Sequence, residues 1–277
     1  MKVAVIGGDK RMLFAARAFV NDGYEVYLAG FDNLMSLCEI RVCGIEVAAN
    51  VCDIAVLPVR PIVNGCLNAP FQEEKTEIST VVSLLGKKPI YTGCSEQIHP
   101  FAAGKIFDYA AREDFTWRNA QLTAEGAIGL LLHEYEGAIF GTDILVTGFG
   151  RIGKCLSTYL KAMGARVTVA ARKSSDRAMI SVSGMNAVSY PQIDSSRYQV
   201  IFNTVPALVL GQTAVDKMRE DVFVIDLASS PGGVDFGRAK ARGITCIHAL
   251  SLPGKTAPLA AGNIIKDTIM NILTHEE

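Results

Sequence analysis

Gly148, Gly150 and Gly153 form a G-x-G-x-x-G turn directly after the apolar run Asp143-Ile144-Leu145-Val146-Thr147, midway along the chain. Each glycine of such a turn has a task that a side chain would obstruct. Gly148 permits the tight turn, Gly150 lets a pyrophosphate approach the backbone, and Gly153 lets the next helix pack close to the strand. Arg151 and Ile152 complete the turn, and the helix N-terminus beyond it offers free N–H groups and a positive dipole end to phosphate oxygens. A helical stretch from Lys154 to Met163, ended by Gly164, and a second strand from Arg166 to Ala171 supply the rest of a βαβ unit. In this context the glycines predict dinucleotide binding rather than a structural turn.

The end of the second strand predicts which dinucleotide. NAD-binding units place Asp or Glu there to bind the ribose 2′-hydroxyl. This chain has Arg172-Lys173-Ser174-Ser175 and no acid before Asp176. Arg172 and Lys173 match a 2′-phosphate, and Ser174 can donate a hydrogen bond to it. NADP is therefore expected over NAD.

Three later strand ends carry residues of the same kind. Asn203-Thr204-Val205-Pro206 would pass below the nicotinamide ribose. Asp226-Leu227-Ala228 opens a serine- and glycine-rich turn that runs to Gly233, and Leu252-Pro253-Gly254-Lys255 leads into the last helix. Ligands of open parallel sheets sit outside the carboxyl ends of the strands, so these segments, with Asn203, Thr204, Val205, Pro206, Asp226 and Ala228, are assigned to a cofactor and substrate site. In the first half, Gly7-Gly8-Asp9-Lys10-Arg11 reads either as an anion site of backbone N–H groups and Arg11 or as a plain strand-to-helix turn. Arg60, between Pro58 and Pro61, is a second guanidinium near a strand end. Of the four histidines, His248 and His99 stand after strands and are the candidates for an acid or base, whereas His133 and His275 read as structural or solvated.

The elements that must hold these residues alternate strand and helix. Strands are expected at Lys2 to Ile6, Glu25 to Ala29, Asp53 to Leu57, Pro89 to Thr92 and Lys105 to Tyr109, with helices at Met12 to Asn21 and Glu73 to Leu85. Residues 64–72 read as a loop. The stretch from Trp117 to Glu136 reads as a long helix starting near Thr123, with a cleft beside it. Strands follow at Val200 to Asn203, Val222 to Asp226 and Ile244 to Ile247, and Ala257 to Leu273 reads as a returning helix. Short connections imply parallel sheets covered on both faces. The expected architecture is α/β, with two Rossmann-like parallel-sheet domains joined by a long helix and the C-terminal helix returning to the first domain. The expected boundaries are 1–116, 117–137 for the connecting helix, 138–256 for the NADP-binding domain and 257–277.

Composition narrows the function classes. With 277 residues, 49% of them hydrophobic and 20% charged, the chain suits two ordinary globular domains. A formal net charge of -1 gives no electrostatic case for nucleic acid or an anionic membrane surface. Seven cysteines are scattered without a C-x-x-C pair, so no metal is expected and the thiols read as core residues of a reducing compartment. Met1-Lys2 runs straight into a strand without a signal-peptide pattern. No apolar run approaches the roughly 18 residues of a membrane span, so a cytoplasmic protein is expected. There is no G-x-S-x-G, H-E-x-x-H or P-loop motif to support a hydrolase, zinc or nucleotide-triphosphatase reading.

With these motifs in hand, the chain resembles the family of the dipicolinate synthase A subunit. The resemblance rests on Val5-Ile6-Gly7-Gly8-Asp9 with Arg11, on Gly30-Phe31-Asp32 and on Thr123-Ala124-Glu125-Gly126. It continues through Gly148-Phe149-Gly150-Arg151, Asn203-Thr204-Val205-Pro206, Asp226-Leu227-Ala228-Ser229 with Pro231-Gly232-Gly233, and Leu252-Pro253-Gly254 with Ala257-Pro258. It implies oxidation of dihydrodipicolinate, a lysine-pathway intermediate, to pyridine-2,6-dicarboxylate, with NADP as hydride acceptor. It also implies a partner, the flavoprotein-like B subunit, and the mother cell of a sporulating bacterium as location. On this reading Arg11 takes one carboxylate, helix N-terminal N–H groups near Thr123 or Lys255 take the other, and water or His248 accepts the ring proton. A homo-oligomer, by default an isologous dimer, is expected. A non-catalytic NADP(H)-binding scaffold, another two-domain NAD(P)-dependent dehydrogenase and a redox-sensing subunit stay open as alternatives.

Overall fold

The computed structural model describes residues 1–33 and 40–274, so Cys38 and His275 lie outside the described residues. The chain divides into two compact units. Unit 1 comprises Met1–Asn119 and the segment from Ala257 onward, and unit 2 comprises Ala120–Thr256.

Unit 1 contains strands β1 (Lys2–Ile6), β2 (Glu25–Ala29), β3 (Arg41–Val42), β4 (Ile54–Val56), β5 (Ile62–Val63), β6 (Cys66–Leu67), β7 (Ile90–Thr92) and β8 (Ile106–Asp108). Its helices are α1 (Lys10–Asn21), α2 (Ile45–Val51) and α3 (Ile78–Leu85), and α4 (Glu113–Glu134) leads on into unit 2. Unit 2 has strands β9 (Asp143–Thr147), β10 (Arg166–Ala170), β11 (Asn186–Val188), β12 (Val200–Asn203), β13 (Phe223–Asp226) and β14 (Thr245–His248). Its helices are α5 (Arg151–Ala162), α6 (Ser174–Val182), α7 (Gln212–Lys217), α8 (Phe236–Ala241) and α9 (Leu252–Thr256), before α10 (Pro258–Leu273) closes unit 1.

Both units are built on one plan. The first sheet runs β3-β2-β1-β4-β7-β8 and the second β11-β10-β9-β12-β13-β14, six parallel strands each in the same order. In each, the strand order reverses beside the first strand, between β1 and β4 and between β9 and β12. That is the switch point where such sheets open a crevice for ligand. The central strands are apolar and buried on both faces, Val3 to Ile6 in β1 and Ile144 to Val146 in β9, which is the pattern of a parallel sheet covered by helices on both sides.

Several boundaries differ from those the sequence predicts, each for a local reason. Helix α1 begins at Lys10, ahead of Met12, because Asp9 caps it by accepting the Arg11 backbone N–H at 3.0 Å. Helix α5 begins at Arg151 rather than Lys154, so Gly153 lies inside the helix. Helix α3 starts only at Ile78, since Thr76 is drawn into pairing: its carbonyl accepts the Leu67 N–H at 2.8 Å. That pairing also places β6 inside the stretch read as a loop. Helix α4 starts at Glu113, well before Thr123, with Glu113 and Asp114 in its first turn where the helix dipole favours acids.

The last helix begins at Pro258, a residue suited to the first helical position, and packs on α1 within unit 1. The crossing is close enough to require glycine. A Cβ on Gly262 would stand 2.6 Å from the Arg11 carbonyl oxygen and 2.6 Å from the Ala15 nitrogen. Among the described residues no helix is long and apolar enough to cross a membrane.

Candidate functional site

The turn after β9 combines tight packing with one open face. Gly148 has φ +96°, a conformation that L side chains rarely adopt, and a Cβ there would collide with the Thr204 hydroxyl. A Cβ on Gly153 would overlap the Gly148 carbonyl oxygen. Gly150 differs from both: it caps α5 without a side chain, and a Cβ there would meet nothing within 4 Å. The chain itself leaves the space over Gly150 open, at the N-terminus of a 12-residue helix whose first N–H groups point outward. The residues fit a dinucleotide pyrophosphate. Arg151 is exposed in the first turn of α5, with Ile152 half-buried behind it. Lys154 lies with its ammonium 5.3 Å from the Phe149 ring centroid.

The neighbouring loops are braced by a polar network beneath them. Thr147 donates its hydroxyl to Asn203 Oδ1 at 2.6 Å. Asn203 Nδ2 donates to Asp226 Oδ1 at 2.7 Å and to the Val205 carbonyl at 3.0 Å, and Val205 N–H returns to Asn203 Oδ1 at 3.1 Å. The Asp226 carboxylate also accepts the N–H groups of Ala228 at 3.0 Å and Gly233 at 2.7 Å. Thr147, Asn203 and Asp226 are fully buried. A buried amide and carboxylate are costly unless their hydrogen bonds are made, and here both Asn203 donors are used.

The two glycines of Pro231-Gly232-Gly233 are there for this network. A Cβ on Gly232 would press to 2.6 Å from Asp226 Oδ2, and one on Gly233 to 2.5 Å from Asn203 Nδ2. Asn203 and Asp226 are both expected among the cofactor-binding residues. Their side chains are closed in by their own chain and shape the loops from below. Ala228 is likewise buried, at 3% exposure. Thr204, held by its hydroxyl on the Thr147 carbonyl at 2.8 Å, and Val205 are half-buried, while Pro206 is exposed.

At the end of β10, Ala171 is buried and its N–H donates to the Val188 carbonyl at 3.0 Å, while Arg172, Lys173 and Ser174 are exposed. Asp176, the first acid, sits in the first turn of α6 rather than at the strand end. Arg177, one turn into α6, reaches back to donate Nη1 to the carbonyls of Ala171 at 3.0 Å and Arg172 at 2.7 Å. Sequence reasoning does not single it out; a basic residue one turn past the strand end is the signal that could. Burial pushes the Tyr190 hydroxyl up, against the pull of the Arg172 charge.

His248 ends β14 in register beside Asp226. Its Nε2 lies 2.8 Å from the Ala228 carbonyl oxygen. A carbonyl only accepts, so Nε2 carries a hydrogen. His99 is exposed after a short 3-10 turn, and His133 is exposed 3.8 Å from Glu134. Among the described residues, no group of three or more His, Cys, Asp or Glu is arranged to hold a metal ion.

The other expected substrate groups are placed less favourably. Thr123 is buried in the interior of α4, so no helix start is available there. Its neighbour Gly126 is where α9 crosses: a Cβ would stand 2.7 Å from the Thr256 hydroxyl and 3.0 Å from Leu252 Cβ. Lys255 is exposed near the C-terminal end of α9, and the next helix opens with a proline that has no N–H. Thr123 therefore marks no helix N-terminus, whereas Lys255 lies three residues ahead of the start of α10.

In unit 1 the Gly7-Gly8 turn is a strand-to-helix turn and not a nest of free amides. Gly7 N–H donates to the Ala29 carbonyl and Gly8 N–H to the Asn68 carbonyl, at 2.8 and 2.7 Å. The segment from β6 into Asn68 covers the turn, with Leu67 side-chain atoms 2.9 Å from a notional Gly7 Cβ. Arg11 remains at this strand end. Its Nε and Nη2 grip the Asp9 carboxylate at 2.9 to 3.1 Å, and its side chain is 17% exposed. Tyr109 is fully buried and donates its hydroxyl to the Leu57 carbonyl at 2.9 Å, and burial pushes its ionisation far up.

Comparison with known proteins agrees along the whole length. The family described as the N-terminal domain of the dipicolinate synthase A subunit matches residues 2–102. The A subunit of dipicolinate synthase from Bacillus subtilis is 32% identical over 286 aligned positions, covering 99% of this chain and 96% of the relative. The crystal structure of the dipicolinate synthase A subunit from Bacillus halodurans superposes with a TM-score of 0.89 at 31% identity, covering 98% of this chain and 97% of that one. A transhydrogenase from Sinorhizobium meliloti, at 15% identity and a TM-score of 0.75 over 99% of this chain and 93% of its own, shares the fold.

Proposed function

The chain belongs to the family of the dipicolinate synthase A subunit, and from that premise we propose that it is an NADP-dependent oxidoreductase that converts dihydrodipicolinate to dipicolinate. The observation that carries the reading is the space over Gly150, kept clear by the chain at the N-terminus of α5. When bound, the nicotinamide dinucleotide supplies the hydride acceptor. Arg151, Ile152 and the first N–H groups of α5 hold its pyrophosphate, and Arg172, Lys173 and Ser174 hold the 2′-phosphate. Thr204, Val205 and Pro206 present backbone and apolar surface to the nicotinamide side, steadied from below by Asn203 and Asp226.

Turning a dihydropyridine into a pyridine removes one hydride and one proton from the ring. The gain of aromaticity makes the step downhill, so the main task of the protein is orientation rather than strong acid–base chemistry. Arg11 binds one substrate carboxylate through guanidinium N–H groups that Asp9 does not use. The proton goes to water or to His248. The B subunit, a homo-oligomeric state, the cytoplasm of a sporulating mother cell and a place beside lysine synthesis complete the proposal.

One observation favours a second reading, a non-catalytic NADP(H)-binding subunit. Among the described residues neither His248 nor His99 is paired with a carboxylate that would tune it as a base. A turnover assay separates the two. The chain is mixed with NADP+ and freshly made dihydrodipicolinate, with and without the B subunit. Pyridine absorbance rising together with NADPH is the expected result. Product made by the B subunit on its own would overturn the enzyme reading.

A further inference from the structure

Unit 1 carries a guanidinium near a strand end, Arg60, that the sequence motifs leave without a task. Arg60 follows β4 as Arg11 follows β1, and β1 and β4 are hydrogen-bonded neighbours at the switch point, with Val5 in register with Val56. Arg60 is exposed, and among the described residues it makes no ion pair.

Its backbone is held with care. Asn68 donates its side-chain Nδ2 to the Arg60 carbonyl at 2.8 Å and its backbone N–H to the Pro61 carbonyl at 2.7 Å, while its own carbonyl accepts the Gly8 N–H at 2.7 Å. One residue thus ties the turn that leads into the helix of Arg11 to the turn that bears Arg60. From the other side, the Gly93 N–H donates to the Pro58 carbonyl at 3.3 Å. A Cβ on Gly93 would reach 2.9 Å from Val59 Cα.

We propose that Arg60 is the anchor for the second carboxylate of the substrate, beside Arg11 for the first, and that Asn68 is the positioning residue that fixes the two turns in register. The inference rests on the dicarboxylate reading of the function. The two residues follow hydrogen-bonded neighbouring strands, and Asn68 bonds both to Gly8 and to the Arg60 backbone. Guanidinium forks match carboxylates in shape as well as charge. The pairing needs neither Thr123 nor Lys255.

The test is calorimetric titration of the full-length protein with dipicolinate and with picolinate, which lacks one carboxylate. Wild type is expected to prefer dipicolinate. Arg60→Ala should weaken dipicolinate about ten- to a hundredfold and leave picolinate within about threefold. Arg60→Lys, which keeps charge but loses the fork, should fall between. Asn68→Ala should weaken dipicolinate while NADP+ affinity stays unchanged; if that variant unfolds, the exposed Arg60 variants decide. Dipicolinate binding equally well to Arg60→Ala and wild type would overturn the inference and leave the dicarboxylate reading standing. If wild type binds dipicolinate no better than picolinate, or binds neither, the dicarboxylate reading itself falls and the inference falls with it.

Discussion

Asn203 hands its side-chain amide to the Asp226 carboxylate at 2.7 Å, with both residues wholly out of water. Through this one bond the loops after β12 and β13 become a single piece, because Asn203 also grips Val205 and Asp226 also grips Ala228 and Gly233. Asp226→Asn would set an NH2 group against N–H donors. The expected outcome is a loss of about 1–3 kcal/mol in denaturant unfolding, together with weaker NADP(H) binding. Unchanged stability and affinity would show that the loops are held by other contacts.

Gly150 and Gly153 should separate cofactor binding from folding. At Gly150 a methyl group meets open space, so Gly150→Ala should leave thermal unfolding unchanged while weakening the dinucleotide at least tenfold. At Gly153 a methyl group overlaps the Gly148 carbonyl, so Gly153→Ala should cost roughly 1–3 kcal/mol of stability as well. Fluorescence titration with NADPH and thermal melts of both variants test the contrast.

The coenzyme preference is expected to reside in the turn after β10. Arg172→Ala should weaken NADP(H) about ten- to a hundredfold and change NAD(H) little. Arg177→Ala should blur the preference without touching phosphate, since its guanidinium holds the carbonyls of Ala171 and Arg172. Calorimetry with both coenzymes decides; tighter NAD(H) binding by wild type would reverse the assignment.

Cys246 provides a signature in alkali. Burial pushes its thiol from the ordinary 9.0 up to about 12, with the nearby Asp226 charge adding to the rise. The folded state therefore holds this proton more tightly than the unfolded chain does. The stabilisation is complete below the ordinary thiol range and is lost as pH climbs from about 9 toward 12. Unfolding midpoints followed over this window should fall less steeply for Cys246→Ala than for wild type. Equal slopes would place the titration elsewhere.

Much of this molecule is readable in its residues, and the unread parts have physical causes. The strand from Asp143 to Thr147 and its three glycines are legible because each glycine answers a steric demand of a known turn, and the long apolar strands announce parallel sheets. The short elements β3, α2, β11 and α7 leave no pattern to read, because a few residues cannot show a period. The start of α4 is hidden since Glu113 and Asp114, good first-turn residues, sit outside its apolar core. The Gly7-Gly8 turn could not be resolved from sequence alone: its amides are taken by Ala29 and Asn68, and the latter lies sixty residues away in the chain. Partners 23 and 56 residues away likewise hide the tasks of Asn203 and Asp226, whose residue types suit a ligand as well as they suit a buried brace.

The close crossing of α10 over α1 at Gly262 bears on how the molecule comes into being on the ribosome. Domains generally fold as units from the N-terminus during synthesis. Here the first unit to emerge lacks its closing helix, so the face of α1 that will receive Gly262 stays wet until residues 258–273 have been made. Residues 120–256 form an unbroken stretch and need no such wait. The later-made half is thus free to settle first, and the half that begins the chain is the last to finish.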